Sequence, residues 1–154
     1  MPLTAIIVDD SAVSRALLKA GLIKAGVEIV GEASTAEHAL QLYEEHNPSI
    51  AIFDIVLPQT DGITAATEVL KAHPDANVVI CTAVASPEKI RACREVGVRY
   101  FLHKPITIQQ VAELVDHHRT QASADHVPNE SLSAPDPFLI DARLSGTGWF
   151  FMAD

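Results

Sequence analysis

Five polar side chains stand where short apolar runs give out. Asp9 and Asp10 follow "LTAIIV", Asp54 follows "IAIF", Thr82 closes "NVVICT", and Lys104 comes shortly after "RYFL". Adjacent carboxylates repel each other, and an interior does not hold them unpaired. Asp9 and Asp10 therefore either face solvent at a turn or share a cation. Three carboxylates drawn together would favour a hard divalent ion, and a small, oxygen-only, partly hydrated site suits Mg²⁺. With such an ion beside it, one carboxylate can act as nucleophile toward a phosphoryl group. Lys104 and the metal would neutralise charge on the transferring oxygens, while Thr82 would donate a hydrogen bond to the product.

The elements that must gather these residues follow from the hydropathy pattern. Apolar runs at 3–8, 28–33, 50–54, 77–82 and 99–102 are short, rich in β-branched or aromatic residues, and mostly continuous. Strands covered on both faces read this way. Amphipathic segments lie between them and carry helix-start signals. Ser34 with Glu37, and Thr107 with Gln110, have capping-box spacing. Ser86-Pro87-Glu88 supplies a cap, a first-turn proline and an acid. After Ser11, the residues Val13, Leu17 and Ala20 form an apolar face expected to meet the core, and "GITAATEVLKAHP" is expected to stop at Pro74. Alternating β and α units predict an α/β fold, a doubly wound (βα)5 parallel sheet. In the flavodoxin-like strand order 2-1-3-4-5, strands one, three, four and five are neighbours. Their carboxyl ends then bring Asp9, Asp10, Asp54, Thr82 and Lys104 to one crevice.

Composition narrows the function classes. The chain has 154 residues, 48% of them hydrophobic, and a formal net charge of −9. So acidic a chain lacks the clustered positive charge that nucleic acid or anionic lipid requires. The start "MPLTAIIVDD" has no signal-peptide character and no apolar run approaches a membrane span, which predicts a cytoplasmic protein without a membrane partner. Cys81 and Cys93 read as reduced core thiols, and His117-His118 as part of a solvated helix face.

Residues 1–119 form one expected domain. The segment 120–137 is polar, holds three of the nine prolines and reads as a linker. The tail 138–154 carries four of the eight aromatics, so it is expected to dock on a protein surface, its own or a partner's, with self-association through this tail as one form.

These residues resemble the receiver domain of two-component response regulators in its compact CheY-like form. The matching elements are Asp9-Asp10, "DIVLPQTDG" from Asp54, Thr82-Ala83, Phe101 and Lys104-Pro105, and they span residues 3 to about 119. The resemblance implies phosphorylation on Asp54 by a sensor histidine kinase, with Mg²⁺ as cofactor. It implies Asp10, Asp54 and the Val56 carbonyl as metal ligands, with Asp9 acting mostly through water. Thr82 and Phe101 would be the switch pair, Lys104 the phosphoryl-binding cation, and the Lys104–Pro105 bond commonly cis. Val56 and Val84, both apolar, would flank the water that hydrolyses the aspartyl phosphate, which implies slow loss of phosphate by a switch that is not an enzyme with turnover.

Plainer readings stand beside these. Asp9 and Asp10 would also serve as helix-cap acids, Asp61-Gly62 as turn and cap chemistry, and Phe101 as core. Lys89, Arg91, Arg94 and Arg99 would form a solvated face or a docking patch. An aspartyl-phosphate hydrolase would need a second acid two residues after its nucleophile, where this chain has Val56. Dinucleotide binding is disfavoured because "VDDSAVS" has no glycine for close pyrophosphate approach. Output is expected through an unspecified downstream protein target, with a phosphorelay carrier as the alternative. Asp54 is expected at a solvent-facing strand end.

Overall fold

The computed structural model describes residues 3–58, 60–83, 86–123 and 149–151, with backbone alone for 120–123 and 149–151. Strand β1 (Leu3–Val8) is followed by α1 (Ala12–Lys24), β2 (Val27–Ala33) and α2 (Ala39–His46). Next come β3 (Ile50–Phe53), α3 (Gly62–Ala72), β4 (Val78–Thr82) and α4 (Pro87–Val96). β5 (Tyr100–His103), α5 (Ile108–Ser123) and β6 (Trp149–Phe151) complete the order. The sheet runs β2-β1-β3-β4-β5-β6. Its first five strands are parallel in the expected order, and β6 lies antiparallel on β5.

Alternation along each strand builds two apolar layers. Ile6, Val8, Phe53, Ile80 and Phe101 point to the α2–α4 side, where they meet Val69 and Cys93. Ala5, Ile7, Ile52, Val79 and Leu102 point to the other side, against Leu18 and Leu22 of α1 and Val111 and Leu114 of α5. β3 and β4 are buried along their whole length, which is why their sequences are continuous rather than alternating. α1 and α5 approach closely at Gly21, where an added Cβ would stand 2.6 Å from Cβ of Val111.

Three helix starts match their signals. Ser11 Oγ accepts the Ser14 N–H at 3.2 Å, Ser86 Oγ accepts the Lys89 N–H at 3.2 Å, and Thr107 and Gln110 cap each other reciprocally. The Ser34–Glu37 box does not form. A short 3-10 turn, Ala36–His38, precedes α2; its cap is Thr35, and no side-chain cap bond is made. The apolar face of α1 is also the reverse of the one expected. Leu18, Gly21 and Leu22 face the core, whereas Val13 is 70% exposed and Leu17 37%. Both rows repeat at helical spacing, and α1 buries the row that holds Gly21 because α5 packs against it. His117 and His118 are not on a solvated face either. His118 is buried, and the His117 ring meets Tyr100 edge-on at 5.5 Å. α5 runs four residues past 119, to Ser123; residues 124–148 and 152–154 of the expected linker and tail lie outside the described residues. Among the described residues, no helix is long and apolar enough to cross a membrane.

Candidate functional site

The parallel ladder carries one residue beyond each strand and sets the root of each site side chain. The Asp9 N–H donates to Ala33 O at 3.0 Å, the Asp54 N–H to Val8 O at 2.9 Å, and the Lys104 N–H to Thr82 O at 2.9 Å. All strands of the parallel set point the same way, so these residues emerge together at one end of the sheet.

Lys104 answers the question posed by the acidic pair. Its Nζ donates to Asp54 Oδ2 at 2.9 Å and stands 3.0 Å from Asp9 Oδ2. The second oxygen of each carboxylate turns to backbone: Asp54 Oδ1 accepts the Val56 N–H at 3.2 Å, and Asp9 Oδ1 the Ser11 N–H at 2.9 Å. Asp9 is 1% exposed and Asp54 only 5%, so Asp54 is not solvent-facing as expected but sits at the floor of the crevice. Asp10 is exposed, and Val56, whose N–H meets Asp54, is 56% exposed. The cis Lys104–Pro105 bond is present.

Burial dominates at Asp9 and lifts its carboxyl above the usual range, against the lowering pull of the Ser11 N–H and of Lys104. Burial alone would lower Lys104; hydrogen bonds and charge from Asp54 and Asp9 outweigh it and hold the ammonium above its ordinary value. The cation is therefore firmly charged. Cys81 and Cys93 are buried thiols, as expected, and burial pushes the Cys93 thiol up to about 12.

The donor set fits a small divalent cation. One carboxylate oxygen from each of Asp9, Asp10 and Asp54 lies within 4.8 Å of the others. Asp9 Oδ2 is buried with the Lys104 ammonium 3.0 Å away as its partner, and an ionised carboxylate oxygen so placed keeps lone-pair capacity for a cation. An oxygen left in that state inside an all-carboxylate cluster is a natural hard-cation ligand. Thr82, fully buried, is paired with His103 in the β4–β5 register and so ends beside Lys104. Phe101 does not join the polar cluster: it is fully buried in the layer containing Cys93 and Val98. Val84 lies outside the described residues.

Two residues of the site escape a reading of spacing alone. Arg15 Nη1 donates to the Asp9 carbonyl at 2.6 Å while its Nε sits 3.3 Å from Glu32, tying the β1 end to α1 and β2. Gly62 lies so close over Asp54 that a Cβ would overlap the Asp54 carbonyl oxygen. Asp61 is the α3 cap, accepting the Thr64 N–H at 2.8 Å, but its partner Gly62 does more than turn the chain. No sequence signal marks either contact, since both depend on how the next helix lies against its strand end: Arg15 is six residues from Asp9 on α1, and Gly62 opens α3.

A parallel five-stranded sheet with acids on its first and third strand ends and a lysine after its fifth is the arrangement of a receiver. The model of the response regulator receiver domain family matches residues 5–116, and the chain belongs to that family. It is 33% identical to the chemotaxis protein CheY of Bacillus subtilis over 111 residues, 72% of this chain and 92% of that protein. It is 34% identical to the CheY of Thermotoga maritima over the same shares. A CheX–CheY–BeF3–Mg²⁺ complex from Borrelia burgdorferi superposes with a TM-score of 0.72 at 28% identity, covering 76% of this chain and 89% of that one. A CheY-like receiver from Methanospirillum hungatei gives 0.73 at 25% identity, covering 80% and 98%.

Proposed function

We propose that this receiver is a phosphoryl-accepting switch charged on Asp54 by a sensor histidine kinase and read out through protein–protein contact in the cytoplasm. The observation that carries this reading is Lys104 Nζ, 2.9 Å from Asp54 Oδ2 and 3.0 Å from Asp9 Oδ2, with Asp10 completing the acid set. A carboxylate oxygen of Asp54 forms the new bond to phosphorus as the donor's P–N bond breaks, and the departing imidazole nitrogen takes up a proton. Lys104 pivots from carboxylate to phosphoryl oxygen, keeping its charge where negative charge collects. Thr82, ending next to Lys104, offers its hydroxyl to the same group and links the modified site to β4. Asp9, Asp10 and Asp54, with the Val56 carbonyl, would hold Mg²⁺, which supplies charge neutralisation on the phosphoryl oxygens. The Borrelia complex, a CheY with BeF3, Mg²⁺ and the protein CheX, supports a receiver of this fold taking such groups and a protein partner. Val56 stands where a hydrolase would carry its second acid, which disfavours turnover.

Incubation with Mg²⁺ and a small phosphodonor should add one phosphoryl group by intact mass, removable with hydroxylamine. Asp54→Ala should add none while keeping the wild-type circular dichroism. Equal uptake by Asp54→Ala would sink the assignment.

A further inference from the structure

The C-terminal strand takes no part in the receiver chemistry. Trp149–Phe151 pairs antiparallel with β5, Leu102 facing Trp149, Phe101 facing Phe150 and Tyr100 facing Phe151. β5 would otherwise end the parallel sheet, presenting an unpaired row of N–H and C=O groups on the apolar sequence "YFL". Such an edge accepts an extended apolar segment from any chain that offers one.

We propose that the β5 edge is a strand-accepting docking surface, held in the free protein by the chain's own C-terminal strand as a displaceable occupant. A partner that docks by adding a strand there must first expel residues 149–151. The proposal requires nothing of the phosphoryl chemistry.

Two observations favour an occupant from the same chain and a reversible one. First, β6 has three residues, and so short a strand opens locally without unfolding the domain. Second, the reach is ample. Antiparallel β6 enters beside Leu102, at the carboxyl end of β5, whereas α5 returns 16 residues toward the other end. The two ends to be joined are thus about the length of α5 apart, ~24 Å at 1.5 Å per residue, and 25 residues of chain reach up to ~80 Å when extended. A strand tethered this way meets its edge at an effective concentration on the order of millimolar, far above that of a second copy in dilute solution. The edge is also continuous with the acid cluster through a single short strand. Leu102, paired with Trp149, is followed by His103, paired with Thr82, and then by Lys104 on Asp54 and Asp9. Occupancy of the edge and geometry at Lys104 therefore share one backbone, and any coupling between them runs both ways.

Amide hydrogen exchange on the full chain tests this without a phosphodonor. Residues 149–151 and the Tyr100–Leu102 stretch should be protected, and equally so across a roughly hundredfold dilution. Phe150→Pro, which removes one N–H and restricts the strand, should release both stretches at least about tenfold while β1, β3 and β4 stay protected. That core protection certifies the fold, and Phe151→Pro repeats the test at a neighbouring position. A synthetic peptide of residues 146–154, "GTGWFFMAD", should then bind the Phe150→Pro chain at least about tenfold more tightly than the wild type, whose edge is filled. Unprotected 149–151 in the wild type would overturn the proposal. Protection that fades on dilution would assign the strand to a second copy and overturn the intramolecular form. Equal peptide affinity for both chains would show that the edge is not the acceptor.

Discussion

At the scale of the residue, Lys104 is what makes a buried acid pair tolerable. Its side chain is 17% exposed against 1% for Asp9, so little water screens the contact. Lys104→Met keeps the length and removes the charge, leaving Asp9 and Asp54 facing each other without their cation. Urea unfolding at neutral pH should show a loss of about 3 kcal/mol, partly restored by millimolar Mg²⁺; an unchanged midpoint would mean that the ion pair contributes nothing to the fold. Gly62 packs against the backbone of the same residue, Asp54. Gly62→Ala forces a methyl against the Asp54 backbone and should cost about 1–3 kcal/mol, with a fall in phosphorylation rate that the denaturation loss alone does not explain. Single-turnover phosphorylation beside a urea titration separates the two effects. The five chemical residues were legible in the sequence because each sits directly at or just past an apolar run, and parallel strands all deliver their carboxyl ends to one place. Arg15 and Gly62 were not legible. An arginine on a helix and a glycine in a turn are common, and only the approach of α1 and α3 to the strand ends gives them work.

At the scale of the element, burial on both faces explains what the sequence could and could not reveal. β1, β3 and β4 announced themselves as continuous apolar runs. α1 did not declare its inner face, since Val13, Leu17 and Ala20 repeat as regularly as Leu18, Gly21 and Leu22. A three-residue strand far along the chain from its partner has no periodicity to read at all, so β6 was visible only as a local excess of aromatics. α5 carries a pH dependence of its own. Burial, then the charge of His118, pushes the His117 imidazole down to about 4 from 6.5. The unfolded chain therefore takes up that proton first, so the neutral ring's contribution to stability is complete above about pH 6.5 and is lost as pH falls toward 4. His117→Gln should flatten the dependence of unfolding free energy on pH within that window, by up to about 1.4 kcal/mol per pH unit at its steepest. Parallel slopes for the two proteins across the window would show that His117 is not shielded in the fold.

At the scale of the whole molecule, a divalent cation that binds the folded acid cluster and not the unfolded chain is a stabilising ligand, on a chain of net charge −9. With a Kd of about 1 mM, 10 mM Mg²⁺ should raise the unfolding free energy by about 1.4 kcal/mol, read as a shift in urea midpoint against sodium at matched ionic strength. Asp10→Asn should shrink the shift at almost no cost to the fold, because Asp10 is exposed. Identical shifts in sodium and magnesium would reduce the effect to general screening. The sheet's two margins complete the picture. On one side β2 presents the exposed acids Glu28 and Glu32 and an irregular register against β1 between Ala5 and Ile6, features that discourage a second sheet from joining. On the other side β5 offers no charge along "YFL" and relies on β6 instead. The molecule is thus blunted by chemistry at one margin and by a removable lath at the other. Whatever lifts that lath opens a single growth point for cross-β association, so chains stripped of β6 should precipitate on storage sooner than intact ones, from one side of the sheet only.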